Sequence, residues 1–423
     1  MTHLVKGLIL SLLLSGLPLM AGVPAKELVE LGKQCEKRVV KLRGLKVKKP
    51  IRWEITSKEQ VRAYLKQTLA EQYAPGEMEA EGDAMKALGM IPASMHYKEF
   101  ILKLYEEQVG GYYDPKKETF FLADWIAPSL QESIISHELT HALQDQHFDI
   151  DKFVERVKGN SDAMYARAAL VEGEATLVMM LDSMKNMGVD IELDMLDLDG
   201  TLGTLLMSLS TAQFPSFSEA PRALKETLMF PYLKGLNFVI YGKKLGAWAR
   251  IDQVYADLPV STEQILHPEK YFLKRDKPVT VSLTAIEKIV GRGWKKIYVD
   301  VLGEFMTRHL LAGLDDRDEE NKAAAGWDGD KFWVFKREGE LAWVQMSVWD
   351  SEKDATEFAG AFAKTVAQRR AGFVQQPTTA QPMMTWKNKK DRVVLVERRA
   401  NKILIVDNLE QNMIDSLRQA AFD

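Results

Sequence analysis

Two histidines and a glutamate in the stretch HELTH, residues 137–141, have the spacing of a metal-hydrolytic site. Side chains four residues apart lie on one face of an α-helix, so His137 and His141 point the same way and can bind one Zn²⁺ through their imidazole nitrogens. Glu138 lies about 100° further round the helix, beside the metal and within reach of a water molecule bound to it. This pattern is typical of a zinc hydrolase, in which the glutamate is the general base.

The third ligand has more than one candidate. His147 follows the motif closely, but a helix that continues past Gln144 turns the side chain at position 147 away from the metal. Glu172 and Glu174 lie in an otherwise apolar helical run, where a carboxylate costs free energy unless a cation or metal binds it. Two residues apart, they cannot face the same way, and Gly173 between them allows a close backbone approach, which suits packing against the metal helix. The residues alone leave Glu172 and Glu174 open.

Hydrophobic periodicity and capping residues predict the elements that must position these side chains. In chain order these are a strand at 51–55, a helix at 57–72 with a capping box, a hairpin at about 112–121, the motif helix from about 128, and a long helix at about 163–187. The acidic stretch at 189–200 lacks the ligand spacing of a calcium loop, and we interpret it as a solvated segment.

The chain divides by its pattern into four regions: a signal peptide at 1–25, a subdomain at 26–215 with both motif helices, a helical subdomain at 216–325, and a small domain at 326–423. In the last region, runs such as LAWVQMSVW and RVVLVER predict strands. Two strands precede each of two helices, whose N-caps we predict at Ser351 and Asn408. The fold class is therefore α+β, mainly helical with a small N-terminal sheet, followed by a ββα-ββα domain.

The first residues have the pattern of a secretory signal, with Lys6 followed by an apolar run at 7–20 and small residues. That run is short for a membrane span, so we expect an extracytoplasmic protein, periplasmic or secreted, without a stable span after cleavage. An uncleaved N-terminal anchor is the alternative. The net charge of −4 gives no reason to expect nucleic acid as a partner. The single Cys35 cannot form an internal disulfide.

The motifs HELTH and EGEA together resemble the gluzincin class of zinc metallopeptidases. In that class the first glutamate of an E-G-x-A stretch on the next long helix binds zinc, so the resemblance implies Glu172 and leaves Glu174 behind the ligands or on the substrate side. Thermolysin-type members have an acidic residue four positions after the ligand, where this chain has Thr176. The blocks HELTHALQDQHF, EGEAT, FPYLKGLNFV, STEQILHPEKYF and GWDGD are similar to those of exported bacterial zinc-dependent proteases.

This resemblance implies a zincin-like metallopeptidase domain that holds one Zn²⁺ ion through His137, His141 and Glu172. A peptide or protein is then the expected substrate. Glu138 takes a proton from the zinc-bound water and later delivers it to the leaving amine. We expect no particular oligomeric state.

A second electrophile usually helps the metal to stabilise the oxyanion. The candidates are Tyr232, His267 and Tyr271, and we favour His267 or Tyr271 as the catalytic side chain. The hairpin edge is expected to pair with an extended peptide, as the sheet edge does in gluzincins. The residues predicted to bind substrate are Gly111, Tyr112, Tyr113 and Tyr232.

Two other functions fit the same motifs. The chain is then either an exported, non-catalytic binding protein with a structural zinc, or a zinc hydrolase of a non-peptide bond in cell-wall material. A structural zinc needs four protein ligands, so His147 or Glu174 would have to complete the coordination.

Overall fold

The computed structural model describes residues 9–12, 25–114, 116–125, 128–153, 157, 159–189, 214–377 and 382–422. The fold is α+β, with a four-stranded sheet towards the N terminus and a seven-stranded antiparallel sheet towards the C terminus. Most of the predicted signal peptide, and the acidic stretch beyond Val189, lie outside the described residues. Within the described ranges, no helix is both long and apolar enough to cross a bilayer.

The helices are α1 (Ala25–Arg43), α2 (Lys58–Gln72), α3 (Glu77–Ala87), α4 (Tyr97–Gln108), α5 (Pro128–Phe148), α6 (Ile150–Phe153), α7 (Ser161–Asn186), α8 (Pro215–Glu219), α9 (Arg222–Val254), α10 (Thr262–Leu266), α11 (Glu269–Phe272), α12 (Thr284–Val290), α13 (Gly303–Thr307), α14 (Arg317–Ala324), α15 (Glu352–Arg369) and α16 (Gln411–Phe422). The strands are β1 (Ile9–Leu12), β2 (Arg52–Thr56), β3 (Val109–Asp114), β4 (Thr119–Ala123), β5 (Lys295–Asp300), β6 (Trp327–Arg337), β7 (Glu340–Trp349), β8 (Val374–Gln375), β9 (Met383–Lys387), β10 (Arg392–Arg399) and β11 (Lys402–Glu410).

The N-terminal sheet has the strand order β1-β3-β4-β2 and contains the predicted hairpin as β3 and β4. The predicted capping box opens α2: the Ser57 hydroxyl accepts a hydrogen bond from the Gln60 N–H, and Gln60 Oε1 accepts one from the Ser57 N–H. Helix α5 begins at Pro128, as predicted, and packs against β3. The motif helix therefore lies beside β3, the first strand of the hairpin.

The C-terminal sheet has the order β5-β6-β7-β11-β10-β9-β8, and its first strand corrects the prediction of a helical region from 216 to 325. Strand β5 lies inside that region and pairs with β6 along one edge. An edge strand needs an apolar side chain at few positions, and the lysines at its start hid the strand pattern. Strands β8 and β9 were also missed, so the predicted ββα-ββα order holds only for β6-β7-α15 and β10-β11-α16.

The second predicted N-cap, Asn408, is wrong, whereas the first, Ser351, is confirmed. Asn408 lies within β11 with a φ of 63°, a conformation that asparagine tolerates better than most residues. It is the extra residue where the pairing of β11 with β10 shifts register, and its side-chain amide donates a hydrogen bond to the Leu341 carbonyl. The strand continues for two further residues, and α16 begins at Gln411.

Helix α7 is crossed by α9 at two glycines. A Cβ added to Gly173 would lie 2.1 Å from the Gly235 carbonyl carbon, and a Cβ added to Gly235 would lie 2.0 Å from the Ala169 carbonyl oxygen. The expectation of a close approach at Gly173 is therefore confirmed, but its partner is α9 and not the metal helix α5. The sequence EGEA could not identify which helix takes the space that the missing Cβ leaves.

Replacing Gly173 with alanine should lower the free energy of unfolding by about 1–3 kcal/mol, because the added Cβ overlaps backbone atoms that cannot rotate away. Gly360→Ala in α15 is the matched control, since a Cβ there meets no atom within 4 Å. We expect this control to stabilise the chain by up to about 1 kcal/mol, because alanine favours a helix interior. Urea unfolding measures both, and equal effects would contradict the described crossing.

Candidate metal centre

His137 and His141 on α5 and Glu172 on α7 form a compact cluster of three ligand atoms. The His137 Nε2 atom lies 3.0 Å from His141 Nε2 and 3.2 Å from Glu172 Oε2, and the latter two are 3.4 Å apart. Ligand atoms bound at about 2.0–2.1 Å to one tetrahedral zinc ion are separated by about 3.3 Å. The three side chains are also at most 5% exposed. The residues therefore fit the group that the motif implies.

The charge of Glu172 suits a metal ligand. Burial alone would raise the pKa of this carboxyl group, but the imidazoles of His141 and His137 outweigh it and lower that pKa to about 2. The carboxylate is therefore ionised throughout the neutral range. A buried negative charge next to two imidazole nitrogens is an arrangement that a divalent cation stabilises.

Glu138 is fully buried beside the cluster, and the sheet fixes its position. Its Oε2 atom accepts a hydrogen bond of 2.8 Å from the Tyr113 N–H on β3. Tyr113 is itself predicted to bind substrate, so β3 contacts the predicted general base and also belongs to the predicted peptide site.

Tyr232 on α9 is the oxyanion candidate that the structure brings to the cluster. Its ring stacks on His137 with 6.1 Å between the centroids. Burial, the nearby charges of Glu172 and Glu138, and a hydrogen bond with Glu172 raise the pKa of Tyr232 well above its usual range. The hydroxyl group therefore keeps its proton. Its place follows from the glycine crossing, since Gly235 lies one helical turn further along α9.

The two favoured oxyanion residues have their polar atoms in contact with other elements. His267 Nε2 lies 2.9 Å from Glu304 Oε1 on α13, and this hydrogen bond raises the pKa of the imidazole. The Tyr271 hydroxyl donates to the Asp257 carbonyl, and its ring packs against Phe238. These contacts explain both side chains as structural, and we give neither a role at the metal centre.

The predicted substrate residues of β3 divide between the two faces of the strand, as successive residues must. The Tyr112 ring stacks on Tyr64 at 4.1 Å and belongs to the main core, so its side chain is structural. The Tyr113 hydroxyl lies 3.4 Å from Asp145 Oδ2 on α5. A Cβ at Gly111 would come within 3.0 Å of the Phe121 carbonyl oxygen. Any contact of these residues with a peptide is therefore through the strand backbone.

Both candidates for a fourth protein ligand have other partners. Glu174 accepts hydrogen bonds from Arg43 and from the Tyr255 hydroxyl, the latter at 2.6 Å. The His147 ring nitrogen Nε2 donates to the Lys46 carbonyl at 2.7 Å. Neither side chain is among the group of three described above.

Sequence reasoning missed the polar residues behind the cluster. Gln144 contacts His141 and Tyr255, and Arg43 binds Glu174. A side chain three residues after His141 shares its helix face, so Gln144 could have been found from spacing. The partners Arg43 and Glu174 are 131 residues apart in the chain, and no local pattern links them.

A second acidic group, Glu263, Asp276 and Asp350, also has ligand atoms within metal-binding distance of one another. The Lys270 ammonium lies 2.6 Å from Glu263, 2.7 Å from Asp350 and 3.3 Å from Asp276. This lysine already supplies the positive charge that such a group requires, so we assign no metal there.

Comparison with known proteins concerns only the C-terminal part of the chain. A family model described as a domain of unknown function (DUF8575) matches residues 295–418. The matched segment begins at β5 and contains none of the residues of the metal centre. No curated protein and no solved structure matches the chain.

We expect Glu172→Ala to weaken zinc binding by on the order of 100-fold or more, because it removes one of three protein ligands. His147→Ala is the matched control and should bind zinc as the unmodified chain does, since His147 bonds the Lys46 carbonyl. Competition with a chromogenic chelator measures both affinities. Loss of the metal in His147→Ala together with its retention in Glu172→Ala would show that the third ligand is misassigned.

Proposed function

We propose that this chain is an extracytoplasmic, zinc-dependent peptidase with a zincin-like catalytic domain. The observation that carries the proposal is the triangle of three buried ligand atoms, 3.0–3.4 Å apart, with the Glu138 carboxylate beside it. Glu174 and His147 each have another partner, and the group of ligand atoms found among the described residues has three protein members, which supports a further coordination position for a solvent molecule. A catalytic zinc site needs such a position, whereas a structural site has four protein ligands.

Zinc, when bound by His137, His141 and Glu172, supplies a Lewis acid that polarises a carbonyl group and lowers the pKa of water. Glu138 accepts a proton from the attacking water and returns it to the nitrogen of the leaving amine. The hydrogen bond from the Tyr113 N–H restricts the positions that this carboxylate can take.

Tyr232 is our candidate for the second electrophile. Its hydroxyl group keeps its proton and donates it in a hydrogen bond to Glu172. When Glu172 binds a metal ion, the hydroxyl can turn this hydrogen bond to the oxygen of a scissile carbonyl. The packing of its ring on His137 restricts the positions that the hydroxyl can take. This assignment replaces His267 and Tyr271, whose polar atoms bond Glu304 and Asp257.

The β3 edge supports a peptide as the substrate. Strand β1 pairs antiparallel with β3, with Leu10 opposite Tyr112, so this edge accepts an extended chain through backbone hydrogen bonds. Strand β1 lies within the segment predicted to be a signal peptide. Removal of that segment would leave the edge beside Glu138 free to pair with a substrate.

Glu138→Gln tests the proposal, because it keeps the size of the side chain and removes the general base. We expect the variant to bind zinc normally and to lose casein or peptide cleavage by about 10²–10⁴-fold. Glu132→Gln, on the same helix, is the matched control and should keep activity, since Glu132 bonds Arg38 and not the cluster.

Three results would argue against the proposed peptidase function. Full cleavage by Glu138→Gln would exclude it as the base. A zinc-loaded chain that hydrolyses cell-wall fragments but no peptide in a mixed library would favour the non-peptide hydrolase. A chain that binds zinc tightly and hydrolyses neither class would favour the binding protein with a structural metal.

A further inference from the structure

A chain of buried hydrogen bonds leads from the metal centre towards the N-terminal helix. His141 Nδ1 lies 2.8 Å from Gln144 Oε1 on the same helix. The Gln144 Nε2 atom lies 2.9 Å from the Tyr255 hydroxyl oxygen and 3.0 Å from the Val171 carbonyl oxygen. All three polar side chains are buried, so water does not compete for these bonds.

The series of hydrogen bonds continues through two charged residues. The Tyr255 hydroxyl lies 2.6 Å from Glu174 Oε2, and Arg43 Nε bonds the other oxygen of the same carboxylate. Arg43 also bonds Asp252 on α9 and is itself 1% exposed. We call the series Arg43, Glu174, Tyr255, Gln144 and His141 the relay.

The direction of each hydrogen bond in the relay follows from the chemistry of its ends. Arginine can only donate, and the Glu174 carboxylate that it binds can only accept, so the single Tyr255 proton points at Glu174. The Tyr255 oxygen then accepts from the Gln144 amide. The Val171 carbonyl can also only accept, which independently places the NH₂ group of Gln144 on that side. The Gln144 oxygen therefore faces His141, whose Nδ1 must carry a proton.

We propose that Gln144 is a positioning residue, and that the relay fixes His141 as the Nδ1-protonated tautomer with a bare Nε2 before any metal binds. The inference rests on the proposed function in one respect, since it assumes that Nε2 of His141 is a metal ligand. It concerns the apo protein, however, and does not depend on which bond the loaded protein hydrolyses. A hydrogen bond to the non-ligating ring nitrogen is a general way of orienting a metal-binding histidine.

The two ligand histidines should then differ in the apo protein. Their Nε2 atoms are 3.0 Å apart. If Nε2 of His141 carries no proton, the hydrogen bond between these two atoms needs a donor at Nε2 of His137. His137 supplies it from a protonated Nε2, because Glu172 Oε2 lies 3.2 Å from that atom in a hydrogen bond and 3.4 Å from His141 Nε2. Metal binding therefore has to displace a proton from Nε2 of His137 only, whereas His141 keeps its tautomer.

The relay joins the metal centre to elements that are distant in the chain. Arg43 ends α1, and Tyr255 follows the last turn of α9. Helix α9 is kinked before that turn, at Gly246 and Ala247. Ala247 has φ 53° and ψ −154°, a conformation that non-glycine residues rarely adopt. The same turn carries Asp252, the second partner of Arg43.

Long-range ¹H–¹⁵N spectra of the apo protein, with ¹⁵N-labelled histidine and at a pH of about 8, report the tautomer of each neutral imidazole. We expect a protonated Nδ1 on His141 and a protonated Nε2 on His137, and a change at His137 alone when zinc is added. Substitution of each histidine in turn assigns the signals.

Gln144→Met, which has similar volume but no acceptor, should give a mixture of His141 tautomers and weaken zinc binding by about 10–100-fold. Tyr255→Phe should have a smaller effect, because the Val171 carbonyl still orients the amide. Gln146→Met is the matched control on the same helix, since Gln146 bonds the backbone of Lys48 and Lys49. It should leave the His141 tautomer and zinc affinity unchanged.

An Nε2-protonated His141 in the unmodified chain would overturn the inference, as would an unchanged tautomer in both Gln144→Met and Tyr255→Phe. Circular dichroism of each variant separates these results from unfolding, and the histidine spectra of the unmodified chain test the inference if Gln144→Met does not fold. Failure of the proposed function gives a different result: the expected tautomers with zinc binding but without peptide cleavage.

Discussion

The close crossing of α7 and α9 determines what the rest of the site can be. Gly173 and Gly235 leave no space for a Cβ at this point, so the two helix backbones are in direct contact. Glu172 and Glu174 flank one of these glycines, whereas Tyr232 lies one turn before the other. A single contact therefore places a metal ligand, a relay member and the candidate electrophile relative to one another. Side chains larger than hydrogen would separate all three.

Three of the buried carboxylates on helix α7 have different partners. Glu172 faces the two histidines, Glu174 binds Arg43, and Asp182 accepts a hydrogen bond of 2.8 Å from Arg38. A buried carboxylate without a cation would cost several kcal/mol, so each of these partners is needed to keep its carboxylate buried. Both arginines come from α1. The N-terminal helix is therefore part of the framework that holds the proposed metal ligands, and it supplies none of them.

Local sequence patterns were sufficient wherever the determining contacts are themselves local. The start of the motif helix at Pro128, the capping box at Ser57 and the N-cap at Ser351 depend on residues within one helical turn of each other. The shared helix face of His137 and His141 belongs to the same class. Their joint approach to Glu172 was inferred from a resemblance, because no spacing rule connects two separate helices.

Contacts between distant segments explain what the sequence did not reveal. The partner of Gly173 is on α9, more than sixty residues further along the chain, as the positions of Gly173 and Gly235 show. The preference for His267 and Tyr271 over Tyr232 rested on sequence blocks alone, which do not show that the same crossing brings Tyr232 close to His137. Strand β5 was missed because edge strands show little periodicity, and Asn408 because an N-cap preference resembles the preference for positive φ.

The most direct test of the central claim is the anomalous scattering of a zinc-soaked crystal at the zinc absorption edge. We expect one strong peak bonded at about 2.0–2.2 Å to His137 Nε2, His141 Nε2 and a Glu172 carboxylate oxygen, with a solvent molecule as the further ligand. A peak coordinated by four protein side chains, or an ion that leaves Glu172 unbound, would contradict a catalytic zinc site between α5 and α7.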